Sequence, residues 1–503
     1  MQRLLRSSAQ SQGPWCQDCF SSWCNCRNGT RAAQGFISGS HRFLLLHGLR
    51  SVLSVENARQ GEEQEEVTGE KVVRIEPVTR LEGHGDVTIK IGKDGRVKDA
   101  QFSVTSTRFF EKFLEGRFAE EAPKFASRIC GICPEPHHLA AVKAVEAAWD
   151  ITPPAPAVKL RRLLINAKQF SSHALHFFAL AAPDFLAGPF GDPAKRNLVA
   201  ITKALPDVSK MALQMMQFGQ ELAAAIGGTA IHPVTAVPGG MLNPFSEEKR
   251  DQFLKRISDV KQWTTSTVAL AKKIMDDYVD VVTKLAVGPT YYVGTHSKGA
   301  LEIYDGSIRI MDTAGEIVED LKPKDYRKSF AEYVPEHSYA THVYYKPVGY
   351  PAGIWRAGSL ARINIADKMA TPLAHEALEE MRAKLGRPVH ATFAYHWARI
   401  IELVQAAEEI EGLLKDPQIV NNDVKLLDVK PKKGDGVGCV EAPRGTLIHH
   451  YWTDEQGLIT KANMIVATNN NIGAIEKSLM EVAKQVFEQK AHQKLKLPKP
   501  VIS

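Results

Sequence analysis

The stretch Arg128-Ile129-Cys130-Gly131-Ile132-Cys133-Pro134, followed by His137 and His138, constrains this chain more than any other. A Cys-x-x-Cys loop turns two thiol side chains to one side of a tight bend. Gly131 eases the backbone and Pro134 fixes the exit, so both sulfurs can meet one soft metal ion. Whatever fold the chain adopts has to present that bend at a site. The spacing alone fits a redox dithiol, half of a zinc site or part of a cluster cradle.

At 503 residues, with 44% apolar and 24% charged side chains, the chain is long enough for one large domain or two to three smaller ones. Its apolar runs, Phe43-Leu44-Leu45-Leu46 and residues 174–182 among them, are broken well short of a membrane span. The formal charge of +6 is concentrated at the start, where residues 1–55 hold six arginines against one acid, Asp18. The remainder is close to neutral and has no basic stripe interleaved with aromatics, which excludes a nucleic-acid surface.

Residues 1–60 are rich in arginine and serine, lack lysine and are almost free of acids, the composition of an organelle transit peptide, mitochondrion-type (mitochondrion or hydrogenosome) rather than plastid. Cys16, Cys19, Cys24 and Cys26 fall in this leader and are read as part of an unstructured segment. An acidic linker follows over 61–71. The alternation of Asp86-Val87-Thr88-Ile89-Lys90-Ile91, the Lys93-Asp94-Gly95 turn and renewed alternation over 97–105 predict an N-terminal β-hairpin. Helical periodicity is expected over 140–149, 157–182, 195–226, 247–283, 372–385 and 393–414. Residues 289–350 shift to β-branched and aromatic residues, a small α+β insertion whose charged tip, 322–328, is expected to face solvent. The fold class is therefore mainly α with α+β decorations. Cys439 reads as a buried structural thiol, and His173 and His176 as a core histidine pair.

The string Arg-Ile-Cys-Gly-Ile-Cys-Pro-x-x-His resembles the N-terminal cysteine motif of nickel-iron hydrogenase large subunits, and further segments agree in order over residues 72–480. The likeness is greatest to the cytoplasmic, bidirectional, NAD-linked group. It implies a helical bundle in which Cys130 is a terminal nickel ligand and Cys133 a nickel–iron bridge. Pro77-Val78-Thr79-Arg80-Leu81-Glu82-Gly83-His84 resembles the family's opening motif, which makes Glu82 the proton relay. Glu111 matches a magnesium-binding carboxylate, and Asp184 an acidic position beside the active site. Glu441-Ala442-Pro443-Arg444-Gly445 resembles the loop above the metals: Arg444 would act on the diatomic ligands or on hydrogen, with Pro443, Thr468 and His137 also at the cofactor.

The resemblance implies a Ni-Fe(CN)2CO centre, a possible Mg2+, an iron-sulfur small subunit carrying the Fe-S clusters, a flavin/NAD diaphorase module, hydrogenase maturation proteins and H2 as substrate. The expected reaction is reversible heterolytic oxidation of H2. One departure concerns the chemistry. The family's second motif, Asp-Pro-Cys-x-x-Cys-x-x-His, does not occur in the 503 residues, and residues 481–503 form a Lys/Pro-rich tail in its place. The alternatives are a non-catalytic structural or docking subunit of hydrogenase or complex I-like type, or a truncated inactive gene product.

Overall fold

The structure, a computed structural model, describes residues 66–67, 70–188, 192 and 195–498. The leader, with its four cysteines, most of the linker and the last five residues lie outside the described residues. The alternating stretch folds as an antiparallel sheet in the order β1 (Glu66–Val67), β2 (Glu70–Ile75), β3 (Gly85–Ile91) and β4 (Val97–Val104). The predicted hairpin is the β3–β4 pair, with Val87 opposite Phe102 and Ile89 opposite Ala100. Every second residue of β3, among them Val87, Ile89 and Ile91, is buried, as a half-covered sheet requires.

The helical core begins directly at the cysteine loop. Helix α1 (Pro134–Trp149) starts six residues before the periodicity alone indicates, because Pro134 fits the first helical position, where no N–H is needed. Helix α2 (Ala155–Leu175) is buried along most of its length. It runs on through a widened turn at His176–Ala181 into Ala182–Leu186. The stretch expected as one helix over 195–226 divides at Pro206 into Leu198–Ala204 and α3 (Pro206–Gly227). The stretch over 247–283 divides into Glu247–Leu254, α4 (Ile257–Asp277) and Val279–Lys284. In the first case a proline that cannot donate ends the preceding helix, an effect that apolar spacing does not register.

The insertion is built on β5 (Tyr291–Ser297), β6 (Ser307–Met311) and β7 (Ile317–Leu321), followed by the hairpin β8 (Phe330–Tyr333) and β9 (His342–Tyr345). Its tip is not wholly solvent-facing. Tyr326 is 2% exposed and its hydroxyl lies 3.1 Å from His450 Nδ1, so one aromatic anchors a turn whose lysines stay outside. Two further helices, α5 (Ser359–Ile365) and α6 (Tyr395–Lys415), flank Pro372–Leu385. A three-stranded antiparallel sheet of β10 (Gly434–Ala442), β11 (Gly445–Thr453) and β12 (Ile459–Ile465) leads into α7 (Ala467–Ala483). Helices α3 and α6 both pack against α2 around the largest apolar cluster, which includes Leu164, Phe170, Phe218 and Ile401.

One seam fixes where the cysteine loop sits. Strand β10 carries Gly434, Gly436 and Gly438 on the face that meets Ala148, Ala144 and Ala140 of α1. A Cβ added to Gly436 would fall 2.1 Å from Ala144 O and from Ala148 N, so backbone lies directly on backbone. Glycine is required here by proximity and not by its φ. Among the described residues no helix is long and apolar enough to cross a membrane.

Candidate active site

Cys130 and Cys133 stand at the N-terminal end of α1, 8% and 9% exposed, with their sulfurs in contact and their Cα atoms 5.4 Å apart. Gly131 between them has no positive φ, and a Cβ there would meet nothing within 4 Å, so the bend itself does not require glycine. Ile129 and Ile132 of this loop line a cavity of about 930 Å³. Glu82, Glu111, Asp184, Arg444 and Thr468 line it too, from five separate parts of the chain. The structure thus gathers these five candidates around one volume, while Cys130 and Cys133 reach it only through their neighbours Ile129 and Ile132 and are not in its lining.

Arg444 owes its position to a hairpin. Ala442 pairs with Gly445, so Pro443-Arg444 is the two-residue turn between β10 and β11, and the side chain leaves its tip. Its Nη1 donates to Ser172 Oγ at 3.0 Å, while Nη2 is buried without a hydrogen-bond partner. Burial pushes the guanidinium pKa down and Glu82 opposes that shift, so the cation faces the cavity with one donor free. A buried unmatched donor has an electrostatic demand that an anionic or polarisable ligand meets.

The turn is held from behind by Arg362, which is fully buried. It donates to Ala442 O at 2.9 Å, Pro443 O at 3.3 Å, Glu441 Oε2 at 2.7 Å and Glu402 Oε1 at 2.6 Å. Glu402 also accepts from Ser359 Oγ and lies 3.0 Å from His173 Nε2. Arg362 holds the Glu402 carboxyl far below the usual range, while burial drives the Glu441 carboxyl upward. Pro443 therefore acts through its carbonyl, and its ring is not part of the cavity wall.

Glu82 lies on the loop between β2 and β3, exposed at the edge of the cavity. Arg80 in the same loop takes a left-handed φ of 56°, and its guanidinium bonds Asp184 Oδ1 at 2.8 Å and Leu180 O at 3.0 Å. Asp184 also lies 3.6 Å from Arg196. Asp184 thus pairs with Arg80, which belongs to the Glu82 loop, and with Arg196, while Arg444 takes Ser172. Glu111 is held by Arg108 (Nε to Oε2, 2.8 Å) and by the Met464 N–H (3.0 Å), and Arg108 also reaches Glu332 at 2.6 Å. A cation already stands against that carboxylate, in the manner of a salt-bridging helix residue. His137 does not line the cavity: its Nδ1 lies 3.2 Å from His449 Nε2, whose ring continues to the Tyr451 hydroxyl at 2.7 Å. Burial lowers the His137 pKa to about 4.

Residue types alone did not single out Ser172, Arg80 or the Arg362–Glu402 pair. Glu402 had a legible signal, a lone acid inside Ile400-Ile401-Glu402-Leu403-Val404, since such a charge has to be buried with a partner. Arg399, another cavity residue, has its pKa pushed down to about 10 by burial and by Arg444. His176 lines the cavity with an unpartnered Nδ1, and its ring lies 5.4 Å from that of His396. The core pair expected at 173 and 176 therefore splits, one ring to Glu402 and one to the cavity.

The donors fit one side of a nickel–iron centre. Of the sulfur ligands the resemblance implies for such a centre, the described residues bring Cys130 and Cys133. Cys439 packs against the opposite face of β10 among Ile308, Trp355 and Ile448, its thiol pushed up to about 12 by burial. It is a neutral core side chain and not a third ligand.

Comparison with known proteins agrees with this geometry. Residues 108–188 and 320–491 match the family model described as nickel-dependent hydrogenase, and residues 72–107 one described as HoxL-like. Over 414 residues the chain is 46% identical to one of the subunits of the vhu F420-non-reducing hydrogenase of Methanocaldococcus jannaschii, covering 82% of this chain and 99% of that one. It is 38% identical to the NAD-reducing hydrogenase HoxS subunit beta of Cupriavidus necator, over 81% of this chain and 87% of that one. The crystal structure of an NAD+-reducing [NiFe]-hydrogenase in the H2-reduced state superposes with a TM-score of 0.76 at 35% identity, covering 83% of this chain and 97% of that one. The identity is higher to the F420-non-reducing relative than to the NAD-reducing one. The mainly helical fold with its α+β insertion, the match across both halves of the domain and the cavity under the cysteine loop lead to one conclusion: the chain belongs to the nickel-dependent hydrogenase family, as a large subunit.

Proposed function

We propose that this chain is the catalytic large subunit of a hydrogenase that splits dihydrogen heterolytically, with Cys130 and Cys133 holding one side of a nickel–iron centre. The observation that carries the reading is Arg444: a buried guanidinium with one unsatisfied N–H, facing a cavity walled by the cysteine loop and Glu82. When bound, such a centre supplies the polarisation of H2. The chain's own residues do the rest. Arg444 stays cationic and hydrogen-bonds a ligand in the cavity through Nη2; Arg362 keeps the hairpin turn from yielding; the Glu82 carboxylate takes up a proton at the edge of the cavity and passes it outward.

Glu111 is the candidate for a magnesium ion, with Arg108 as the group it would displace. Electrons leave through a partner subunit bearing iron–sulfur clusters and pass to a flavin/NAD diaphorase module; the similarity to NAD-reducing hydrogenases supports the nicotinamide end of that route. Maturation proteins are needed to build the centre. The second reading, a docking subunit without catalysis, draws on the half-complete thiolate set. Purification with the maturation proteins and the small subunit separates the two. Nickel and iron in stoichiometric amounts, carbonyl and cyanide infrared bands and H2-dependent dye reduction are expected. Absence of all three from correctly folded complex would leave the docking role.

A further inference from the structure

A group of side chains outside the Cys130–Cys133 site has the composition of a metal site of its own. His337, in the connection between β8 and β9, His342, on β9, and Glu476, on α7, each place a ligand atom within 4.8 Å of the other two. His337 Nε2 lies 2.7 Å from Glu476 Oε1, and His342 Nδ1 lies 3.8 Å from Glu476 Oε2. Donors around a tetrahedral ion with bonds of about 2.0–2.1 Å stand roughly 3.3 Å apart, a spacing that these two distances bracket. The three residues come from different elements, so they converge through the fold and not through one loop.

Hydrogen bonding alone leaves this group poorly satisfied. His342 has no measurable exposure, and its Nδ1, the ring nitrogen 3.8 Å from Glu476 Oε2, has as hydrogen-bond partner the Tyr350 hydroxyl at 3.3 Å. Glu476 Oε1 is engaged by the Phe102 N–H at 3.0 Å as well as by His337, while Oε2 has only the distant imidazole. The His337 side chain is 23% exposed and gives an ion a way in from solvent. Two imidazoles and one carboxylate are the donor types of a borderline divalent ion such as zinc, and a hard ion such as magnesium would not select them.

We propose that His337, His342 and Glu476 form a three-ligand site for a zinc-class divalent ion, with water in the fourth position, that clamps the β8–β9 hairpin to α7. Tyr339, Ala340 and Thr341, which lie between the two histidines, line the large cavity, so the ion stiffens that wall from outside. The proposal does not depend on hydrogenase activity.

The test uses the full chain, stripped with chelator and titrated with zinc chloride by calorimetry, beside His337→Gln and Glu476→Gln. The wild type is expected to bind one zinc equivalent more than either variant at micromolar zinc, since losing one of three ligands weakens such a site by at least about 100-fold. The cysteines are common to all three proteins and cancel from the difference. Zinc is also expected to raise the melting temperature of the wild type by more than that of either variant. His337→Gln changes a partly exposed side chain, so its fold is retained. Equal zinc stoichiometry and equal thermal shifts in the three proteins would overturn the proposal.

Discussion

Replacing Gly436 with alanine tests the seam between β10 and α1 on a single atom. The new Cβ would sit 2.1 Å from Ala144 O and 2.1 Å from Ala148 N, both backbone atoms of a helix buried on nearly every side. Ordinary contact needs more than 3 Å, so strand and helix have to part by roughly 1 Å, and no rotamer change relieves it. Overpacking of this kind costs about 1–3 kcal/mol, and the upper end applies where the obstacle is main chain. A matched control reverses the sign. Gly412 lies inside α6 with nothing within 4 Å of an added Cβ, and alanine there should stabilise by about 1 kcal/mol through helix propensity. Urea denaturation followed by far-ultraviolet circular dichroism reads both variants against the parent. A midpoint for Gly436→Ala within error of the wild type would refute the reasoning, because it would mean the seam has slack that the geometry denies.

Other outcomes follow from the site. Arg362→Met leaves the Glu402 and Glu441 carboxyls buried without their cation and should destabilise by about 3–5 kcal/mol, with a smaller loss in Arg362→Met/Glu402→Gln, read from the same denaturation curves. Glu82→Gln in metal-loaded complex should lower H2-dependent dye reduction by about 100-fold or more while leaving the carbonyl and cyanide bands in place; equal loss of bands would assign Glu82 to assembly instead. Burial holds His137, His138 and His173 near pKa 4, below the 6.5 of an unfolded chain, so each is neutral when folded and takes up a proton on unfolding. Their contribution is full above pH 6.5 and is lost as pH falls towards 4, about 1.4 kcal/mol per histidine at pH 5.5, so the urea midpoint should drop between pH 7.5 and 5.5. Asp184→Asn releases Arg80, and limited proteolysis should then cut the 77–84 loop faster than in the parent.

Much of the site was legible because its chemistry is written in local strings. The cysteine loop, the Pro443-Arg444 turn and the Glu82 loop each combine unusual residues within a few positions, and the fold brings them to one cavity. What sequence could not disclose were the partners across long separations. Ser172 is an ordinary helix serine until a guanidinium 272 positions away donates to it. Asp184 reads as an active-site acid, and only the fold shows that it answers to Arg80. Helix limits failed where a proline interrupted an apolar rhythm, as at Pro206, and held where a first-turn proline and a glycine just past the end bounded the periodic stretch, as over Pro372–Leu385. Cys439 was legible as a core thiol from its isolation alone.

The glycine–alanine seam also works as a ruler. Four residues of helix advance about 6.0 Å and two residues of strand about 6.6 Å, so the two repeats are nearly commensurate and successive contacts stay in step. Gly434, Gly436 and Gly438 count backwards along Ala148, Ala144 and Ala140. The position of β10, which ends at the Arg444 turn, relative to α1, which starts at the cysteine loop, is therefore set by two backbones packed in step, almost 300 residues apart in sequence. A chain built this way keeps that offset only while the small residues along that one line remain small.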